Sequence, residues 1–354
     1  MTQKQHYITK SIIKNWITNN NQKSVIYFNG NKIERIAPSY RNIFYYNDEW
    51  DNNIESLMNL KIESPVTNNI LKKRNNLSIE DENKLVAFAF LQSVRKVHHH
   101  DSNMCINLIN NFMEDNNYIY SVVDYKFQNL KEPINLPEQG LISYFDFNKQ
   151  YVVHVLPISP YEILILMNKN PYIDFKEIKI DEKELVQLSF GLTNQKIVIP
   201  HAMNEDVINK KQKSNDLFYE DNKEKMEYIS TVEQQIPNIA YLIQQTTGVL
   251  PTKEEAISEL NVSQDSPDLY RYTFFLRFLA FIHKENLSEN QFESMLIEIN
   301  NLKKYKMEEL NDKILLAKDM IAQALSIEAK NVDSKLEEMA NQFYKDSGLR
   351  KREI

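Results

Sequence analysis

The chain has 354 residues, 42% hydrophobic and 26% charged, too apolar for a disordered protein and sufficient for a sizeable core or two. A formal net charge of −7 excludes a wholly basic nucleic-acid coat, although a local basic groove remains compatible with it. One cysteine and five glycines exclude an internal disulfide and a thiolate metal cluster, and leave little room for phosphate-cradling loops.

The opening MTQKQHYITKSIIKNW has no signal-peptide apolar core. The longest apolar stretches are too short or too interrupted to span ~30 Å of hydrocarbon. A cytoplasmic protein without a membrane partner is expected. SVIYFNGNKIERIA alternates about Asn29-Gly30, a pair that tolerates the positive φ of tight turns, so strand, turn and strand are predicted. From Asn52 to about Lys73 apolar residues recur at helical steps, and Pro65 should kink or split that helix.

Ser78 followed by Glu80 and Asp81 marks the start of the next helix. Its run through LVAFAFLQSV is apolar nearly all round, the mark of a buried central helix. A further helix is predicted over Met104–Met113, where Cys105 reads as a buried, inert thiol.

GLISYFDF and YVVHVL read as a hairpin turning at Asn148–Gln150. Pro157 and Pro160 end its second strand, and YEILILM forms another buried strand. Asp181–Asn194 is predicted helical. The polar run KKQKSNDLFYEDNKEK is the predicted boundary. The expected fold class is α+β: a mixed helical and antiparallel-sheet N-terminal domain, residues 1–215, with an all-helical C-terminal domain, residues 220–354.

In that second half Phe274, Phe275, Phe278 and Phe281 cover more than one helix face. Apolar steps from Met307 to Phe343 resemble heptads whose register slips near Glu328–Asn331. Two explanations stand: packing within the chain, or contact with a protein partner or second copy.

Four polar features could carry chemistry. Gln92 and Arg95 fall on one stripe with Phe88 and His99, and buried polar side chains need partners. Arg95 either ties helices together through a carboxylate or binds a carboxylate or phosphate ligand bidentately. His6 is either incidental or a general base or metal ligand. Glu55 and Glu63, just over two helical turns apart, could share a face. The His98-His99-His100-Asp101 run suggests a metal, but successive helical positions point about 100° apart and cannot converge on one ion. A solvated helix end explains it better. No cofactor or metal is assigned by these residues.

Taken as an ordered set, HYITKSIIKNW, Asn42-Ile43-Phe44-Tyr45, Glu55 and Glu63, Gln92-x-x-Arg95, LPISPYEILILM and LTNQ resemble the bacterial family called domain of unknown function 4238, over residues 5–215. Thr9 stands where that family usually has proline, and Lys131 where it has an aspartate. The resemblance implies that His6, Glu63, Gln92 and Arg95 are site residues. By analogy it also implies an effector nuclease or phosphodiesterase of a bacterial antiviral-defence or mobile-element locus, acting on nucleic acid. The missing aspartate favours the alternative, a non-enzymatic interaction or regulatory protein whose polar cluster is structural.

Overall fold

The structure is a computed structural model. It describes residues 4–18, 24–36, 43–47, 56–74, 77–97, 123–265, 273, 276–277, 288–302, 319, 322, 331–332 and 334. Contacts divide the chain into two compact units, Met1–Thr231 and Val232–Ile354. The fold is α+β, and every pairing among the described strands is antiparallel.

Among the described residues the N-terminal unit holds three sheets. β1 (Lys4–His6) pairs with β4 (Tyr45–Asn47). β2 (Val25–Phe28) and β3 (Ile33–Ile36) extend through β10 (Ile197–Ile199) to the short β6 (Leu136–Pro137). The third sheet has the order β5-β9-β8-β7, with β5 (Val123–Asn129), β7 (Ile142–Asp146), β8 (Tyr151–Ser159) and β9 (Glu162–Asn168).

The β2–β3 hairpin turns at Gly30 as its sequence requires. Its φ is 99°, and a Cβ there would lie 2.6 Å from the Asn194 carbonyl oxygen, so both the turn and the close approach demand glycine. The β7–β8 hairpin also forms, with Gln150 at φ 56°.

Pro157 does not end its strand. β8 runs on to Ser159, with a register irregularity between Pro157 and Ser159. The β7 pairing stops at Val155, so beyond it β8 has a sheet neighbour on one side only, where a missing N–H costs no ladder bond.

α1 (Lys10–Ile13) continues as a 3₁₀ turn, Lys14–Trp16. α2 (Ile79–Val97) starts where Ser78 Oγ accepts from Asp81 N at 3.2 Å. Leu85–Ala89 are buried without a break, as a helix apolar all round must be. Each large side chain there contributes ~1.5–3 kcal/mol by leaving water.

Pro65 neither stops nor splits the preceding helix. Residues Asn59–Glu63 and Val66–Ile70 are wound as π-turns on either side of it. Proline lacks the donor and crowds the carbonyl four residues back, and wider turns absorb both defects while keeping Ile62, Glu63, Val66 and Ile70 buried.

The predicted boundary is instead the ordered helix α4 (Glu205–Asp221), docked on α3 (Glu182–Leu188). Asn215 Nδ2 donates to Gln187 O (3.0 Å) and Gly191 O (2.8 Å), and Gln212 Nε2 donates to Phe190 O and Gln195 O (both 3.0 Å). Two buried amides therefore satisfy carbonyls at and beyond the end of α3, and the helix docks through hydrogen bonds more than apolar area. α5 (Lys223–Tyr228) follows.

His154 of β8 lies across from Ser143, Nδ1 to Oγ 3.3 Å, and edge-on to Phe90 of α2 at 6.3 Å. Burial pushes its imidazole below the ordinary 6.5. The unfolded chain therefore takes up this proton first as pH falls. The stability is complete above about pH 6.5 and declines below it, by at most ~1.4 kcal/mol per pH unit. Urea unfolding at pH 7.5 and 5.5 should show the loss, and His154→Gln should reduce it.

The described elements of the second unit are helices: α6 (Gln235–Thr247), α7 (Lys253–Asp265) and α8 (Glu289–Asn301). Gly248, at φ 75°, ends α6 in the left-handed conformation usual for a helix stop. Arg277 is 1% exposed and its Nη2 is 2.8 Å from Glu259 Oε1. Met104–Met113, the 98–101 His/Asp run, the four phenylalanines and nearly all of the 307–343 stripe lie outside the described residues. No helix among the described residues is long and apolar enough to cross a membrane.

Candidate functional site

The site is built around the junction of β1 and α1. Thr9 occupies the N-cap position of α1, with φ −58° and ψ 129°, yet its side chain makes no cap bond. Its hydroxyl donates to Glu63 Oε1 at 2.6 Å, and its backbone N–H donates to Gln92 Oε1 at 2.9 Å. Gln92 Nε2 donates in turn to Phe88 O at 3.1 Å. One threonine thus ties the start of α1 to the π-turn segment and to α2. All three side chains are buried, Gln92 completely, so each lost bond would strand a polar group at ~1–3 kcal/mol.

His6, 5% exposed, is placed by strand pairing opposite Tyr45, with the two rings 6.0 Å apart. Next to this pairing stands an unusual residue, whose carbonyl accepts from the Tyr7 N–H at 3.0 Å. Phe44 has φ 52°, which costs a bulky side chain of order 1–3 kcal/mol. Packing offsets this cost, because Phe44 is 2% exposed and its ring touches both Tyr7 and Tyr27 at 5.7 Å.

His6 and Glu63 open on one cavity of about 280 Å³, whose wall also includes Thr9, Lys10, Asn59 and Thr67. The wall combines an imidazole, a carboxylate, an amine, hydroxyls and an amide. Such a set can move a proton and meet negative charge in one place. Among the described residues no group of three or more potential metal ligands converges.

Of the residues singled out in the sequence, His6 and Glu63 come together in this cavity. Gln92 comes close but stands behind Thr9, its amide engaged within the fold, and it does not line the cavity. Arg95 belongs to α2, but its side chain, like the whole of Glu55, lies outside the described residues. Lys131 is on an exposed loop, its N–H held by Glu182 Oε2 at 3.0 Å.

Two contributors were missed. Neither Thr9 nor Lys10 is among the site residues that the sequence singles out. The one available signal was that Thr9 stands where the resembling family has proline. Proline offers neither N–H nor hydroxyl, and Thr9 uses both.

Gly140 backs the cluster from the β6–β7 turn. It has φ 75°, and a Cβ there would lie 2.9 Å from both Gln92 Cβ and Ile8 Cδ1. Gly140→Ala should destabilise the unit by ~1–3 kcal/mol, seen as a lower urea midpoint, and should also blunt any activity that needs Thr9 in place.

No protein-family model, curated protein or solved structure matches the chain. The resemblance to domain of unknown function 4238 therefore rests on the ordered motifs alone.

Proposed function

We propose that the N-terminal unit is a phosphodiesterase-type nuclease centred on His6. The observation that supports it is the opening of a buried histidine and a buried carboxylate, His6 and Glu63, on one polar cavity beside Lys10. In this reading His6 takes the proton from the attacking hydroxyl or water as its oxygen bonds to phosphorus. The P–O bond to the leaving nucleotide breaks and its oxygen takes a proton from solvent, and Lys10 meets the charge that develops on the phosphate oxygens. Glu63, bonded to Thr9, holds that residue and the start of α1 in position. Gln92 is a positioning residue, and Arg95 is proposed as a further phosphate ligand. A setting in bacterial defence or a mobile element follows from the resemblance alone.

The test is incubation of the full chain with end-labelled single-stranded RNA and DNA, with products resolved by length. Cleavage by the native chain, lowered by about 10²–10⁴-fold in His6→Ala, is expected. Equal cleavage by both, or none by the native chain, overturns the proposal. The second outcome would favour the other reading, an interaction protein with a structural polar cluster, to which the engagement of both ends of the Gln92 amide within the fold lends support.

A further inference from the structure

Three cavities of the N-terminal unit follow one another. The His6 cavity shares Ser11 and Thr67 with a second of about 350 Å³. The second shares Arg74 and Glu162 with a third of about 550 Å³. All seven residues of β5 line the third, so it extends along a strand about 23 Å long at ~3.3 Å per residue.

Arg74 stands where the second and third cavities meet, and it is held firmly. Its φ is 53°, its Nε donates to Leu71 O at 2.8 Å, and its Nη2 lies 2.6 Å from Glu162 Oε2. Backbone strain of this kind persists only where the surroundings enforce it, and it concentrates at ligand clamps. The guanidinium carbon is 5.9 Å from the centre of the Phe127 ring. Phe127 meets Tyr125 edge-to-face at 6.4 Å, and the Tyr125 hydroxyl is fixed on Glu82 Oε1 at 2.6 Å. Both rings are only partly buried. The third cavity thus has two aromatic rings on its wall with a planar cation beside them.

We propose that the three cavities form one track for single-stranded nucleic acid, with bases stacking on Phe127 and Tyr125 and the strand passing Arg74 toward His6. The His6 end of the track rests on the phosphodiesterase reading, whereas the stacking end does not. Stacking on aromatic rings tolerates any base, since every base has a π-face. Charge contributes less. Glu162 is taken by Arg74, and Lys126 is taken by the carbonyls of Phe175 and Ile178. Lys72 lines the second cavity and Lys169 the third, the positions from which they would meet phosphates. Burial pushes the Asp124 carboxyl up, and the charge of Lys169 opposes that shift. Binding should therefore show little sequence preference and a shallow salt dependence.

Fluorescence anisotropy of the full chain with fluorescein-labelled twelve-nucleotide U, A and dT strands, at two salt concentrations, tests the proposal. Phe127→Leu, which keeps an apolar side chain and removes the ring, should weaken binding by about tenfold, as the loss of one stacked base predicts. Lys169→Glu, a second variant outside the core, should weaken it and flatten the salt slope. Melting temperatures near the native value confirm folding. A comparison of the U and dT arms assigns RNA or DNA as the preferred strand. Absence of binding overturns the track, as does an affinity indifferent to both variants. Indifference would return the third cavity to the competing occupant, an extended peptide paired along β5. Binding that depends on Phe127 without cleavage would sink the phosphodiesterase reading and leave the track standing. Cleavage with variant-independent affinity would do the reverse.

Discussion

His6→Ala is expected to lower phosphodiester turnover by about 10²–10⁴-fold, the usual contribution of a positioned acid or base, with little change in melting temperature. The contrast between the two readouts carries the test. His6 is buried, but its placement comes from main-chain pairing with Tyr45, which survives loss of the ring. Glu63 and Gln92 are different, because their bonds to Thr9 help hold the β1–α1 junction. Their substitution should lower activity and stability together. If His6→Ala instead unfolds as readily as Gln92→Leu while activity per folded molecule is unchanged, His6 is a core residue and the nuclease reading fails. His6→Gln, which keeps polar volume, guards against a trivial packing defect.

Arg277→Met should destabilise the C-terminal unit by ~3–5 kcal/mol, the cost of leaving one partner of a buried ion pair behind. Both members are deep: Arg277 is 1% exposed and Glu259 6%. Their attraction need not itself be strongly favourable, since desolvation offsets most of it. The asymmetry is what urea unfolding should reveal. Arg277→Met alone should be severe, whereas Arg277→Met with Glu259→Leu should recover much of the loss. A mild single variant would mean that water or another group reaches the Glu259 carboxylate.

What was legible in the sequence was local. Asn29-Gly30 and the alternation around it specify a hairpin within a dozen residues, and Ser78 with its acidic followers specifies a helix start. Short strands that pair across the chain left no such trace. β1 opposite β4 and β10 between β2 and β6 are two to four residues long and far apart in sequence. The Glu205–Asp221 helix was misread because its composition is that of a solvated linker, and nothing in composition reveals that Gln212 and Asn215 will find buried carbonyls. Pro65 was read correctly as a defect, but the widened turns that absorb it depend on the packing of Ile62 and Val66. In the site, His6 and Glu63 were linked by their membership in an ordered set of motifs and not by periodicity. Thr9, which joins Glu63 to Gln92, was hidden by looking ordinary.

The amide-stitched helix bears on where this protein can be divided. A cut at residue 215 or 220, where composition invites it, would sever α4 within its span and bare the carbonyls that Gln212 and Asn215 cover. The polar helix is a plug for the end of α3, and the N-terminal unit is whole only with it attached. Fusions, nicks and insertions meet less resistance at Asn222, whose φ of −112° and ψ of 9° break the helical run between α4 and α5. A fragment meant to carry the site on its own should extend to Thr231, where the contacts themselves divide.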